Sequence, residues 1–292
     1  MSILPPASLD PPAGVVAVPR RRVPRALHVG HFTHAGRGAH VWRAPRALAV
    51  PVVSAALLLS LCAIAFTWGW AATPTTAGLD AWVHAQDARH SASYTPLGHI
   101  SPLVADALLA AEDERFYGHH GIDSLGLMRA AWDDLRSGHF TEGGSTLTAQ
   151  LAKNAYLNGY DHTIPLKLED LVLALKVEAR YPKARILEMY LNLVYFGEGG
   201  YGIGQASERY FGTTPDHLDL AESALLAGLV RAPGMYDPWC HPDLAKLRQG
   251  EVLTLMVADG FTTPAQARAA ADESFPFWAP GASRPGDTYC AS

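Results

Sequence analysis

The chain has 292 residues, 49% of them hydrophobic, and a formal net charge of −5. That is enough for one substantial core with an added segment, and the acidic balance leaves no footprint for nucleic acid, so no such partner is expected. The three cysteines form no C-x-x-C, and the absence of H-E-x-x-H and of an EF-hand loop gives a protein-built metal site no support.

Charge is unevenly placed. Residues 1–46 hold seven arginines (20, 21, 22, 25, 37, 43 and 46) against the single acid Asp10, with seven prolines among them. This reads as a basic, Pro-rich, disordered tail. No charged side chain then appears until Asp80, and residues 48–70 are mostly apolar, a helix of roughly 34 Å, the thickness of a hydrocarbon core. One transmembrane helix is expected over 47–72, with Pro51 in its first turn and Trp68 and Trp70 in an interfacial belt. Arginines crowd before it, which places the tail in the cytoplasm and the body outside. A cleaved signal peptide is the alternative, although the apolar run exceeds the ~7 to 15 residues of a signal core.

Residues 73–100 read as a polar connector with a short helix near 81–89. Ser101 can cap, and Pro102 open, a helix on which Val104, Leu108 and Glu112 recur at i, i+4 and i+8. Glu112 thus ends an apolar stripe, where partial desolvation should raise its pKa toward proton-transfer chemistry, while Asp113, about 100° round the helix, should stay ionised. By composition alone, three consecutive acids are a solvated turn.

Beyond it, residues 122–135 are apolar without a single clean face. Gly143 and Gly144 free the backbone before Ser145, Thr146 and Thr148, whose hydroxyls can cap the next helix and leave amides facing an anion; plain capping is the alternative. Gln150 and Lys153 lie one turn apart on that helix, and Lys153 can reach a phosphate as a point charge. Pro165 opens a helix with Lys167, Asp170, Ala174 and Glu178 on a polar face and Leu168, Leu171, Val172 and Leu175 on a buried one. Within 183–192, Glu188 and Asn192 share a face and read as a structural hydrogen-bond network, with Ile186, Leu187, Tyr190 and Leu191 on the core side. Turns are expected through 195–204, helices over 218–230 and 242–258, and a capping box from Thr263 to Gln266 for the last helix. Whether Cys240 and Cys290 pair is open.

Glu112, Asp113, Phe116, His119 and Gly121 spell E-D-x-x-F-x-x-H-x-G without departure. Ser145, Thr146, Thr148 and Gln150, preceded by glycine, follow G-x-S-T-x-T-Q-Q, with Ala149 at the first glutamine. Together these resemble the first two motifs of the peptidoglycan glycosyltransferases, found in class A penicillin-binding proteins and monofunctional transglycosylases. Lys167 matches the lysine of that family's R-K-x-x-E, with Leu166 and Asp170 at its arginine and glutamate and His162 at a basic position upstream. Residues 183–192 resemble the next motif, and the likeness runs from about 90 to 273. Without S-x-x-K, S-x-N or K-T-G, it is to the monofunctional form.

The resemblance implies an all-α fold: a lysozyme-like lobe plus a small membrane-touching jaw lobe, preceded by the transmembrane helix. The glycosyltransferase domain would occupy 101–273 and a tail 274–292. Residues 122–135, with Met128 and Trp132, would serve either as core or as jaw. It implies that Glu112 takes a proton from the acceptor sugar's 4-hydroxyl, which displaces undecaprenyl diphosphate from the donor with inversion. Asp170 is the second catalytic candidate and would act through a divalent cation, Mg or Mn. Asp113, Phe116, His119, Ser145, Thr146, Thr148, Gln150, Lys153, Asn154 and Lys167 are expected around the substrate, with Asp113 and His119 holding the site's shape.

Expected partners are lipid II, the growing lipid-linked glycan, the bilayer and other cell-wall synthesis proteins, at a bacterial inner membrane. Two rivals stand beside this reading: a glycan hydrolase, which has no need of Lys153, Lys167 or an anchor, and a non-catalytic scaffold, which the four departures favour.

Overall fold

The computed structural model describes residues 46–137, 145–157, 164–275 and 277. The chain divides into two compact units, residues 1–53 and 54–292. Among the described residues the fold is all-α, as expected. Its helices are α1 Arg46–Ala72, α2 Leu79–Arg89, α3 Pro102–Glu112, α4 Ser124–Ser137, α5 Leu147–Tyr156, α6 Ile164–Arg180 and α7 Lys183–Leu193, then α8 Gly202–Phe211, α9 Leu220–Val230, α10 Pro242–Ala258 and α11 Pro264–Ala271. A two-stranded antiparallel hairpin, β1 Tyr195–Gly197 and β2 Gly200–Tyr201, sits between α7 and α8.

In α1 the stretch Pro51–Ala72 has a mean hydropathy of 2.1 and none of it is buried, so it is long and apolar enough to cross a membrane. The core lies elsewhere. Helix α9 is buried almost all round through Ala221, Ala224, Leu225, Leu226 and Leu229, and a reciprocal capping box between Asp219 and Glu222 fixes its start. Against it pack α3, through Val104, Ala107 and Leu108, and α10, through Val252, Leu253 and Met256. The second half of the core joins α5 to α6 and α7.

Several expectations change. Residues 79–100 are no mere connector: Leu79 and Val83 are 0% exposed and belong to the core. Only Leu79, Val83 and Asp87, at i, i+4 and i+8, are buried on α2, too few to stand out from a polar sequence. Ser101 takes the N-cap position of α3 with Pro102 behind it, but its side chain makes no capping bond. Among the described side chains of α6 the buried ones are Val172, Leu173, Ala174 and Val177, whereas Leu171 and Leu175 are half-buried and the Leu168 side chain lies outside the described residues, so the face from Ala174 to Glu178 turns inward. Glu178 can be there because it is paired.

On α4, Leu125, Met128, Trp132 and Leu135 are 63–80% exposed, which removes the core reading for that segment. Glu188 and Asn192 do form the expected network. Glu188 accepts from the Tyr94 hydroxyl and the Leu97 amide, and Asn192 exchanges two bonds with the Thr95 backbone. Cys62 is a free thiol, Cys240 is disulfide-bonded, and Cys290 lies outside the described residues.

Where turns were expected after the hairpin, helix α8 begins at once. Gly202 makes this possible: its φ is +75°, and a Cβ there would meet the Asn192 carbonyl oxygen at 2.5 Å. Gly202→Ala should therefore destabilise the detergent-solubilised chain by at least about 1 to 3 kcal/mol, read as a lowered thermal midpoint. Gly250→Ala, inside α10 with nothing within 4 Å of the added methyl, should instead gain up to about 1 kcal/mol.

Candidate active site

Helix α3 ends at Glu112, a half-buried carboxylate on the same stripe as Val104 and Leu108. Across from it on α5, Gln150 donates its Nε2–H to Glu112 Oε2 at 2.9 Å. The Tyr190 hydroxyl, on α7 and 1% exposed, donates to Gln150 Oε1 at 2.7 Å. A buried tyrosine hydroxyl needs a partner, and this one fixes the amide with its oxygen toward Tyr190 and its nitrogen toward Glu112. Burial pushes the Glu112 carboxyl above its ordinary value. The Gln150 N–H and the charges of Arg248 and Arg231 pull it back, and Asp113 pushes it up again.

Asp113 does something different from its neighbour. It leaves the helix with φ −158° and turns into the protein, where its Oδ2 accepts the Leu147 amide at 2.9 Å at the start of α5. Nε2–H of His119 donates to both its oxygens, at 2.9 and 3.1 Å. The anion that the α5 N-terminus faces is thus a carboxylate of the protein itself. Burial pushes the Asp113 pKa up, against His119, the Leu147 amide and Lys183.

The hydroxyls of the second motif are engaged internally. Thr146 caps α5 by accepting from the Ala149 amide at 3.1 Å and donates to the Gly121 carbonyl at 2.7 Å. Gly121 holds φ +86°, and a Cβ there would lie 2.9 Å from the Ala174 carbonyl oxygen, so the motif's glycine is what lets this loop touch α6. Thr148 donates to Glu178 Oε1 at 2.6 Å, and Lys183 Nζ pairs with the same oxygen at 2.6 Å while lying 4.1 Å from the centroid of the Phe116 ring. Phe116 and Thr148 are 0% exposed and have no surface to offer a substrate. Along with Asp113, His119 and Thr146, all buried, they hold the shape of the site.

Glu112, Gln150, Lys153 and Asp170 are half-buried, and Ser145 and Asn154 are exposed. The Lys167 side chain, His162 and the side chain of Leu166 lie outside the described residues. No group of three or more His, Cys, Asp or Glu able to hold a metal occurs among the described residues. Tyr190, Glu178, Lys183, Arg231 and Arg248 were not singled out as site residues from the sequence. A hydroxyl on the otherwise apolar stripe of α7 was the one signal that marked Tyr190. Chemically, the site offers a carboxylate with raised proton affinity, oriented by an amide, and a lysine one helical turn from that amide.

The transglycosylase family model matches residues 80–257. Penicillin-binding protein 1A of Aquifex aeolicus is 42% identical over 173 residues, covering 59% of this chain and 24% of that protein. Penicillin-binding protein 1A of Escherichia coli is 43% identical over 170 residues, 58% of this chain and 20% of that protein. Penicillin-binding protein 1F of Bacillus subtilis is 42% identical over 171 residues, 59% and 24%. The chain therefore spans about a quarter or less of the length of these relatives. The crystal structure of penicillin-binding protein 1A from Haemophilus influenzae aligns over 32% of this chain and 14% of that one, at 33% identity and a TM-score of 0.31.

The Gln150 N–H stabilises the charged form of Glu112, so weakening it must raise the Glu112 pKa further. In carboxyl ¹³C NMR, Glu112 should titrate above the ordinary glutamate range in the wild type, higher in Tyr190→Phe, and higher again in Gln150→Leu. A Glu112 resonance unmoved by either substitution would show that the amide does not hold the charge.

Proposed function

Because the chain belongs to the transglycosylase family, we propose that it is a peptidoglycan glycosyltransferase, joining lipid II to a lipid-linked glycan strand with release of undecaprenyl diphosphate. The observation that carries this reading is the Tyr190–Gln150–Glu112 chain, with Lys153 one turn along α5 from Gln150. Gln150 occupies Oε2 of Glu112, leaving Oε1 to take the proton of the acceptor's 4-hydroxyl. As that proton moves to Glu112, the acceptor oxygen bonds to the donor's anomeric carbon, and the bond from this carbon to the diphosphate oxygen breaks on the opposite face. One displacement inverts the centre. Lys153 and Lys167 offer charge to the departing diphosphate. A divalent cation is proposed only as an aid at Asp170, held jointly by that carboxylate and substrate phosphates. It would neutralise charge there, and no step above runs through it.

The anchor is proposed to be α1, oriented by the arginines before it, and the exposed apolar residues of α4 suit contact with the bilayer. The scaffold reading keeps one observation in its favour, the set of departures. That at Ala149 is mild, since Ala149 is buried in the capped first turn of α5 while Gln150 retains the bond to Glu112.

Glu112→Gln should fold as the wild type does yet lose polymerisation of labelled lipid II by at least ~100-fold. Near-normal turnover in that variant would dismiss Glu112 as the base. Among wild-type products, long strands support the proposal, cleaved sugar the hydrolase, and unchanged substrate the scaffold. A reporter that works only outside the cytoplasm should be active when fused after Ser292 and silent near residue 40; the opposite pattern would put the site out of reach of an externally displayed substrate.

A further inference from the structure

The end of α1 is gripped by α6. Lys176 has three N–H donors, and they meet three backbone carbonyls at the close of the apolar helix: Trp70 at 2.7 Å, Thr73 at 2.8 Å and Pro74 at 3.3 Å. The last carbonyls of a helix have no partner within it, and a cation there also meets the negative end of the helix dipole. The same ammonium lies 5.2 Å from the centroid of the Trp70 ring. Further bonds surround it. The Thr76 hydroxyl donates to the Lys176 carbonyl at 3.3 Å, and the Tyr181 hydroxyl to the Thr76 carbonyl at 3.0 Å. One turn earlier on each helix, a Cβ at Gly69 would sit 3.5 Å from Cγ2 of Val172, so a small residue there allows close approach. A passive tether would need none of these contacts.

We propose that Lys176 is a positioning residue, which fixes the membrane helix α1 rigidly to the catalytic helix α6 and so sets the height of the site above the bilayer. The inference rests on reading α1 as the anchor and the chain as a glycosyltransferase. Its geometric consequence follows from helix dimensions. Asp170 lies six residues before Lys176 and Lys167 nine, about 9 and 14 Å along the α6 axis. The diphosphate of a lipid-linked sugar is confined to the headgroup level, and Trp70 at the end of an apolar span belongs at that level too. A rigid joint at Lys176 therefore fixes the depth of the part of α6 that carries Asp170 and Lys167 relative to the apolar span. A loose joint would let the head tilt and lose alignment.

The test uses the full chain on a Cys62→Ser background, reconstituted in lipid vesicles or kept in detergent micelles with labelled lipid II. Lys176→Ala should lower kcat/KM in vesicles by about tenfold, well within the cost of ångström-scale misplacement, and by about twofold or less in micelles, which have no bilayer plane. Lys176→Arg, which can still donate to the carbonyls, should stay near wild type. Adding Gly69→Cys and Val172→Cys to Lys176→Ala should restore most of the vesicle activity under oxidation and lose it again on reduction. Equal losses in vesicles and micelles would mean a role in stability alone, and no loss, or a disulfide that forms without rescue, would overturn the positioning role. If the wild type makes no glycan, the function falls separately. The joint is then read from the rate of disulfide formation in membranes, which should be fast with Lys176 and slower with Lys176→Ala; equal rates would refute it.

Discussion

The carboxylate of Asp113 draws two separate pieces of chain together. It takes the first free amide of α5 and the Nε2–H of His119, so the loop after α3 and the start of α5 are held by one buried charge. Such a charge is tolerated only with hydrogen bonds around it, and removing one partner of a buried charged network costs about 3 to 5 kcal/mol. Around that point the remaining ties accumulate: Thr146 to Gly121, Thr148 to Glu178, and Lys183 to Glu178 over the Phe116 ring. The two motifs thus amount to a clamp whose polar groups mostly satisfy one another. Glu112 is left as the half-buried carboxylate beside it.

Two adjacent acids reach different fates because the helix ends between them. Glu112 keeps α3's direction and emerges beside Gln150, whereas Asp113 leaves the helical backbone and goes inward. Burial raises both pKa values, but their partners differ. Asp113 has its oxygens occupied by His119 and the Leu147 amide, so it has little freedom to exchange a proton with a ligand. Glu112 has one oxygen held by an amide that Tyr190 orients, which leaves the other available. Rigidity at Asp113 and accessibility at Glu112 come from the same stretch of five motif residues.

Much of this was legible because local rules governed it. Pro102, Pro242 and the box at Thr263 mark their helices through the chain's own backbone needs, and the bounds of α10 match the expectation. The stripe of Val104, Leu108 and Glu112 correctly placed the half-buried carboxylate. What escaped depended on partners distant in sequence. Residues 79–89 read as part of a polar connector because only Leu79, Val83 and Asp87 are buried where α2 meets α7, and Glu178 looks solvent-facing until Thr148 and Lys183 arrive from other helices. Tyr190 reads as core, which it is; that its hydroxyl also orients Gln150 required the packing of α7 against α5. Helix α8 was hidden because its starting glycine is a turn residue by every local criterion.

Helix α6 touches both the frame of the site and the end of α1. Toward the site it presents Glu178, which anchors Thr148 and Lys183, and its Ala174 carbonyl lies where only a glycine at 121 allows the first-motif loop to approach. Toward the apolar helix it presents Lys176, two residues away, with its donors on the carbonyls of α1. Residues two apart on a helix point about 200° from each other, so one short segment of α6 contacts the site's frame on one side and the end of α1 on the other. Both contacts are polar and directional, and apolar packing around them gives the helix little room to rotate. Under the proposed joint, a change in the direction of α1 would reach the frame of Asp113 and Glu112 through α6.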